Sequence, residues 1–154
     1  MAVYPKADVA LLTSVPEEHL IAGYETSKAT NFVVFGTNAA LVLLELKELV
    51  DETHQADILF YASHAKTGGP PRVSYRGRFV DYADAKRISD NGDWRKYRPE
   101  STQSDTQWGG CYLVRDLHKV EPPVLIASLK RRGGSSKLAK GFIPIGPIII
   151  DTPF

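Results

Sequence analysis

The spacing of apolar and polar residues divides the chain into short blocks of different period. Asp8 to Thr13 is a brief apolar run that predicts a first strand. Ser14-Val15-Pro16-Glu17 then carries the residues of a helix start, for a helix that fades near Gly23. Ser14 is placed to cap, Pro16 is tolerated in a first turn, and Glu17 takes the capping-box position. Asn31 to Phe35 is a β-rich run closed by Gly36. Asn38 is placed to cap a helix from Ala39 to Val50, along which Leu43, Leu46 and Val50 recur at helical spacing. Asp57 to Ser63 predicts another strand, and the loop from His64 to Pro71 ends it with Gly68-Gly69-Pro70-Pro71.

Arg72 to Val80 alternates. Val73, Tyr75, Gly77 and Phe79 are expected on one face, and Arg72, Ser74, Arg76 and Arg78 on the other. From Asp81 to Gly110 the chain is polar, aperiodic and holds both tryptophans, a composition that suits a functional insertion. Cys111 to Arg115 predicts a strand, and Val124 to Leu129 a strand or short helix. Lys130 to Lys140 reads as a basic loop. Phe142 to Ile150 reads as a last strand, interrupted by Pro144, Gly146 and Pro147 in a way that suits an edge or a barrel corner. Strands and helices do not alternate regularly, which argues against a doubly wound parallel sheet. The expected fold is α+β: a small, twisted, mostly antiparallel β-barrel with two or three peripheral helices, in one domain spanning residues 1–154.

Composition narrows the class. One cysteine, Cys111, rules out an internal disulfide and fits a reducing compartment such as the cytoplasm. The opening residues lack the basic-then-apolar layout of a signal peptide, and no apolar run approaches a bilayer span, so no membrane partner is expected. The charge is uneven. Residues 1–60 hold three Lys/Arg against nine Asp/Glu, a balance of −6, and residues 61–154 hold sixteen against nine, a balance of +7. A basic half of this kind can present a positive face to a polyanion.

Thr37-Asn38-Ala39-Ala40 opens a helix that leads to Ala56-Asp57-Ile58-Leu59-Phe60-Tyr61-Ala62-Ser63. Further on come Gly77-Arg78-Phe79-Val80, then Trp108 to Arg115, then Glu121-Pro122-Pro123-Val124-Leu125. In order and spacing, residues 31–130 resemble the EVE domains of the PUA-like superfamily. Ala56 and Ala62 stand where that family has glycine and histidine. The resemblance implies a barrel whose cleft binds nucleic acid, often at a flipped or modified base, with Asn38, Tyr61, Ser63 and Trp108 at the matching positions.

Binding an extruded base requires aromatic faces, a few hydrogen-bonding groups and cations for phosphate. Trp94, Trp108, Tyr61 and Tyr97 supply rings. Thr37, Asn38 and Ser63 supply hydrogen bonds. Arg72, Arg76, Arg78, Arg95, Lys96, Arg98, Lys130, Arg131 and Arg132 supply charge. Gly133-Gly134-Ser135-Ser136-Lys137 lacks phosphate-loop spacing, and the four histidines lack metal-ligand spacing. The chain is therefore expected to bind nucleic acid without metal, cofactor or catalysis. The alternative is a small-molecule binder or small enzyme whose cleft lies under the 81–110 insertion.

Overall fold

The computed structural model describes residues 6–51, 54–63, 69–103, 108–132, 137–138 and 146–154. The expected loop at His64 to Gly68, the Gly133 to Ser136 segment and the first part of the Phe142 to Ile150 strand lie outside the described residues.

The elements run β1 (Val9–Pro16), α1 (Glu17–Thr30), β2 (Phe32–Thr37), α2 (Ala40–Leu49), β3 (Ala56–Ser63), β4 (Arg72–Asp84), β5 (Gly110–Leu125) and β6 (Ile148–Ile150). Three 3-10 turns, Ala85–Ile88, Arg95–Tyr97 and Glu100–Thr102, punctuate the insertion between β4 and β5. The strands form one six-stranded mixed sheet in the order β2-β5-β4-β3-β1-β6. All pairs are antiparallel except β1 with β3, which the α1-β2-α2 crossover makes parallel. Among the described residues the fold is thus α+β with two α-helices, and their sheet is open rather than the closed barrel expected from sequence. The crossover carries β2 to one border of the sheet, while β6 forms the other.

Each face of the sheet has its own cover. Leu20 of α1 and Leu43 and Leu46 of α2 pack on the first face against Leu11, Val33, Phe35, Ile58, Phe60, Phe79 and Val114. Burying side chains of this size contributes roughly 1.5–3 kcal/mol each. The second face carries two separate apolar clusters. One joins Ala10, Leu12, Leu59, Tyr61, Val73, Ile126, Leu129 and Ile150. The other joins Val34, Cys111 and Leu113 to Ile88 and Trp94 of the insertion. Between them runs a polar seam of Asp57, Arg78, Arg76 and His118.

Helix boundaries shift for physical reasons. α1 does not fade at Gly23 but continues to Thr30. A Cβ on Gly23 would stand 2.8 Å from Phe35 Cζ, so this glycine serves close packing of helix on sheet rather than termination. The helix ends instead at Asn31, in the left-handed region at φ 71°, whose N–H donates to Ser27 O at 2.7 Å. At its start, β1 extends to Pro16, and no side chain caps the helix; Ser14 is a strand residue. α2 likewise has Ala39 at its N-cap and no side-chain cap, because the Asn38 side chain is engaged elsewhere.

The arginine stripe on β4 is also broken. Tyr75 and Phe79 pack on the first face, but Val73 packs with the second-face cluster, because a bulge lies between Val73 and Tyr75. One extra residue reverses the faces beyond it. Arg72 therefore does not align with Arg76 and Arg78.

Candidate nucleic-acid interface

The ends of β2 and β4 and the start of β5 meet where Thr37 pairs with Gly110 and Gly110 with Asp84. Trp108 enters this junction just before β5. Its indole lies over the backbone of β2: a Cβ on Gly36 would fall 2.0 Å from Trp108 Cδ2. Only a glycine allows the ring to lie there. The next residue is fixed as well, since Gly109 N–H donates to Asn38 Oδ1 at 2.8 Å. That bond sets the Asn38 amide so that its nitrogen remains a donor. Thr37 Oγ1 accepts from Ala39 N–H at 3.0 Å, which leaves its own O–H free to donate. Asn38 is exposed, while Thr37 and Trp108 are half-buried.

The uncapped start of α2 adjoins this junction, and its first turn holds no acidic residue. The unbonded N–H groups and dipole of such a start favour negative or electron-rich atoms.

The insertion frames the other side. Ala85 N–H donates to Gly109 O at 3.4 Å. Exposed Lys86 and Arg87 follow directly. Arg87 stacks on the Trp94 ring with its guanidinium carbon 4.6 Å from the centroid. Arg98 is buried and knits the insertion together, with Nη1 donating to Ile88 O at 3.2 Å, Nε to Thr102 Oγ1 at 3.2 Å, and Nη2 to Thr102 O. Its guanidinium carbon also lies 5.3 Å from the Trp108 ring centroid. Arg98 thus positions the indole, a role that sequence reasoning, which saw only a phosphate cation, missed. Gly36 was missed too: the sequence reading used it only to close a strand.

Two of the proposed rings serve packing. Trp94 is 7% exposed, in the cluster with Val34, Ile88, Cys111 and Leu113. These side chains pack the described part of the insertion against β2 and β5. Burial also raises the Cys111 thiol to about 11. Tyr61 is 5% exposed in the other second-face cluster, and burial raises its phenol as well.

The other residues expected at the site do not converge on Trp108. Tyr61 pairs with Val73, and Thr37 aligns through Gly110 with Asp84, so the two sites are separated by most of β4. At ~3.3 Å per residue this is on the order of 30 Å. Ser63 and Arg72 share the Tyr61 end. Arg78 is 2% exposed, and its guanidinium is held by Asp57 Oδ1 at 3.0 Å and Gln55 Oε1 at 2.9 Å, a structural pairing that withdraws it from surface phosphate. Arg76 Nε donates to His118 Nε2 at 3.1 Å, and its guanidinium carbon stacks 4.1 Å from the Phe154 ring centroid. Arg95 is in the insertion, paired with Asp90 at 3.1 Å. Lys130, Arg131 and Arg132 run beside β6, at the opposite border of the sheet from β2. The cations thus belong to three separate regions instead of one rim. Among the described residues no group of three or more His, Cys, Asp or Glu is placed to hold a metal, and no helix is long and apolar enough to cross a membrane.

No family model matches the sequence, and no curated protein matches it. Solved structures do. A protein from Pseudomonas syringae is 9% identical over 75% of this chain and 71% of that chain, with a TM-score of 0.44. A protein from Pseudomonas putida is 13% identical over 75% and 72%, at 0.46. A hypothetical protein from Leishmania major is 16% identical over 76% and 69%, at 0.43.

Proposed function

We propose that this chain is an EVE-like member of the PUA-like superfamily, a nucleic-acid-binding module that catalyses no reaction and holds a flipped or modified base beside Trp108. The observation that carries this reading is the seating of the Trp108 indole on Gly36, with Asn38 fixing the following residue. An aromatic ring and an amide nitrogen adjoin there, and the Thr37 hydroxyl and the uncapped start of α2 flank Asn38 along the chain. Asn38 Nδ2 and Thr37 O–H are donors, which suits the carbonyl edge of a base. Lys86 and Lys96 on the adjoining insertion, with Arg87 and Arg95 exchanging Asp93 and Asp90 for phosphate, supply the cations. The basic run at Lys130 to Arg132 is not needed for this site.

Fluorescence anisotropy with labelled DNA and RNA oligonucleotides, unmodified and carrying single base modifications, tests the reading. Affinity is expected to fall with salt. Trp108→Ala is expected to weaken binding by about tenfold or more, as loss of a base stack worth about 1–3 kcal/mol requires. Absence of binding to every oligonucleotide at low salt overturns it.

A further inference from the structure

Arg76 lies on the second face of the sheet, directly opposite His118 of β5 and Leu59 of β3. Its Nε donates to His118 Nε2 at 3.1 Å. A guanidinium only donates, so His118 Nε2 is the acceptor and Nδ1 carries the proton, which goes to Asp116 O at 2.7 Å. A backbone carbonyl thus sets the imidazole, and the imidazole sets the guanidinium. The guanidinium carbon sits 4.1 Å from the Phe154 ring centroid, so an aromatic face lies against the group. Nη1 and Nη2 remain. Among the described residues neither has a hydrogen-bond or ion-pair partner, and neither is sealed from water.

Charge in the seam is unbalanced at this point. The same face carries Arg78 and Arg115, directly opposite each other on β4 and β5. Its carboxylates are Asp57, which accepts from Arg78 Nε at 3.0 Å, and Asp116, 3.7 Å from Arg115 Nε. Asp57 feels Arg76 through space, but its hydrogen bond goes to Arg78. Three guanidinium groups against two carboxylates leave 3 − 2 = +1, and the unmatched one is Arg76. Holding a cation on a sheet face costs hydration and side-chain freedom. A carboxylate offsets that cost for Arg78; a neutral imidazole does so only in part for Arg76. A guanidinium with its orientation fixed and its two terminal nitrogens open is a receptor for two coplanar oxygens. We infer that Arg76 anchors a second binding site, for a small organic carboxylate that Nη1 and Nη2 hold end-on, with the Phe154 ring as the apolar surface beside it. That ring is 37% exposed and so available to a ligand. One unmatched positive charge suits the single negative charge of a carboxylate better than the nearly double charge of a phosphate monoester. Eight residues of β4 separate Arg76 from Asp84 at the Trp108 junction, about 25 Å at ~3.3 Å per residue, so the site is independent of the nucleic-acid reading.

Nitrogen-15 side-chain spectra of the full chain, titrated with sodium benzoate, sodium acetate and inorganic phosphate at constant ionic strength, form the test. Benzoate is expected to shift the Arg76 guanidinium resonances saturably and to show nuclear Overhauser contacts to the Phe154 ring. Acetate, which has no ring, is expected to shift the same resonances with weaker affinity. Arg76→Lys keeps the charge but not the fork, and should weaken benzoate binding by about tenfold, measured from the benzoate signal, as loss of a charge-assisted hydrogen bond requires. Phe154→Ala, a change at a half-exposed ring, should remove the preference for benzoate over acetate and keeps the site testable if Arg76→Lys does not fold. Absence of a saturable Arg76 shift with either carboxylate overturns the site. Undiminished benzoate binding in Arg76→Lys, or tighter binding of phosphate than of both carboxylates, overturns its assignment to a carboxylate held by the arginine fork.

Discussion

Arg78 Nε donates to Asp57 Oδ1 at 3.0 Å between paired positions of β4 and β3, with both side chains almost sealed from water. Burial outweighs the nearby Arg78 and Arg76 guanidinium groups and lifts the Asp57 carboxyl above its ordinary 3.8. A raised carboxyl stabilises the fold fully below that ordinary value and loses the contribution as pH rises through its folded value. Asp57 is therefore not the group through which acid unfolds this protein. Carbon-13 titration of its carboxyl should give a midpoint above 3.8.

Breaking that pair from one side leaves a buried charge alone. Arg78→Ala is expected to cost about 3–5 kcal/mol in urea unfolding, and the double change to Asp57→Leu and Arg78→Met to recover most of it. Recovery in the double variant with oligonucleotide binding unchanged would establish Arg78 as a framework residue.

Gly36→Ala places a methyl where the Trp108 ring lies. The clash involves Cγ, Cδ2 and Cε3, close to the rigid root of the indole, so the ring must leave. We expect about 1–3 kcal/mol of destabilisation by overpacking, a red shift of tryptophan emission, and loss of oligonucleotide binding. An unchanged emission maximum would contradict the seating.

The two basic regions should separate cleanly. Neutralising Lys86 and Arg87 is expected to reduce the salt dependence of binding by about one for each phosphate no longer neutralised, whereas changing Lys130, Arg131 and Arg132 to Gln together should leave it unaltered. The opposite outcome would move the interface to the β6 border.

The Cys111 thiol, raised to about 11 by burial, should resist alkylation at mildly alkaline pH in the folded protein and react at once after unfolding. Because the folded value lies above the unfolded one, the stability linked to this group is complete below about pH 9 and is lost between there and about 11. Cys111→Ala should flatten the alkaline limb of a stability–pH profile.

The period of the sequence located β1 through β4 within a few residues, since alternation and apolar runs report burial directly, but it ended β5 at Arg115, ten residues short of Leu125. It could not report what depends on partners distant in the chain. The Ser74 bulge exists because Val73 is needed in one cluster and Tyr75 in the other. Gly23 looks like a helix breaker until Phe35 is seen beneath it. Asn38 has a capping residue's chemistry, but the same amide oxygen can accept from any nearby N–H, and Gly109 offers a better-placed one. Nothing local to Trp108 points to Gly36, the glycine over which its ring lies. The family resemblance sets Tyr61 and Ser63 beside Trp108, whereas the strand register places them at the opposite end of β4.

β2 is a border strand, and the insertion that carries Trp94 and Arg98 passes along it: Tyr97 meets Phe32 at 5.2 Å between ring centroids, and Ser101 Oγ bonds His19 Nδ1 at 2.7 Å on α1. The same polar stretch that frames the Trp108 site is also a guard against strand addition from another molecule. Trimming the insertion would bare the Phe32 to Thr37 backbone to self-association, so truncated forms should lose solubility at the same step as they lose their ligand.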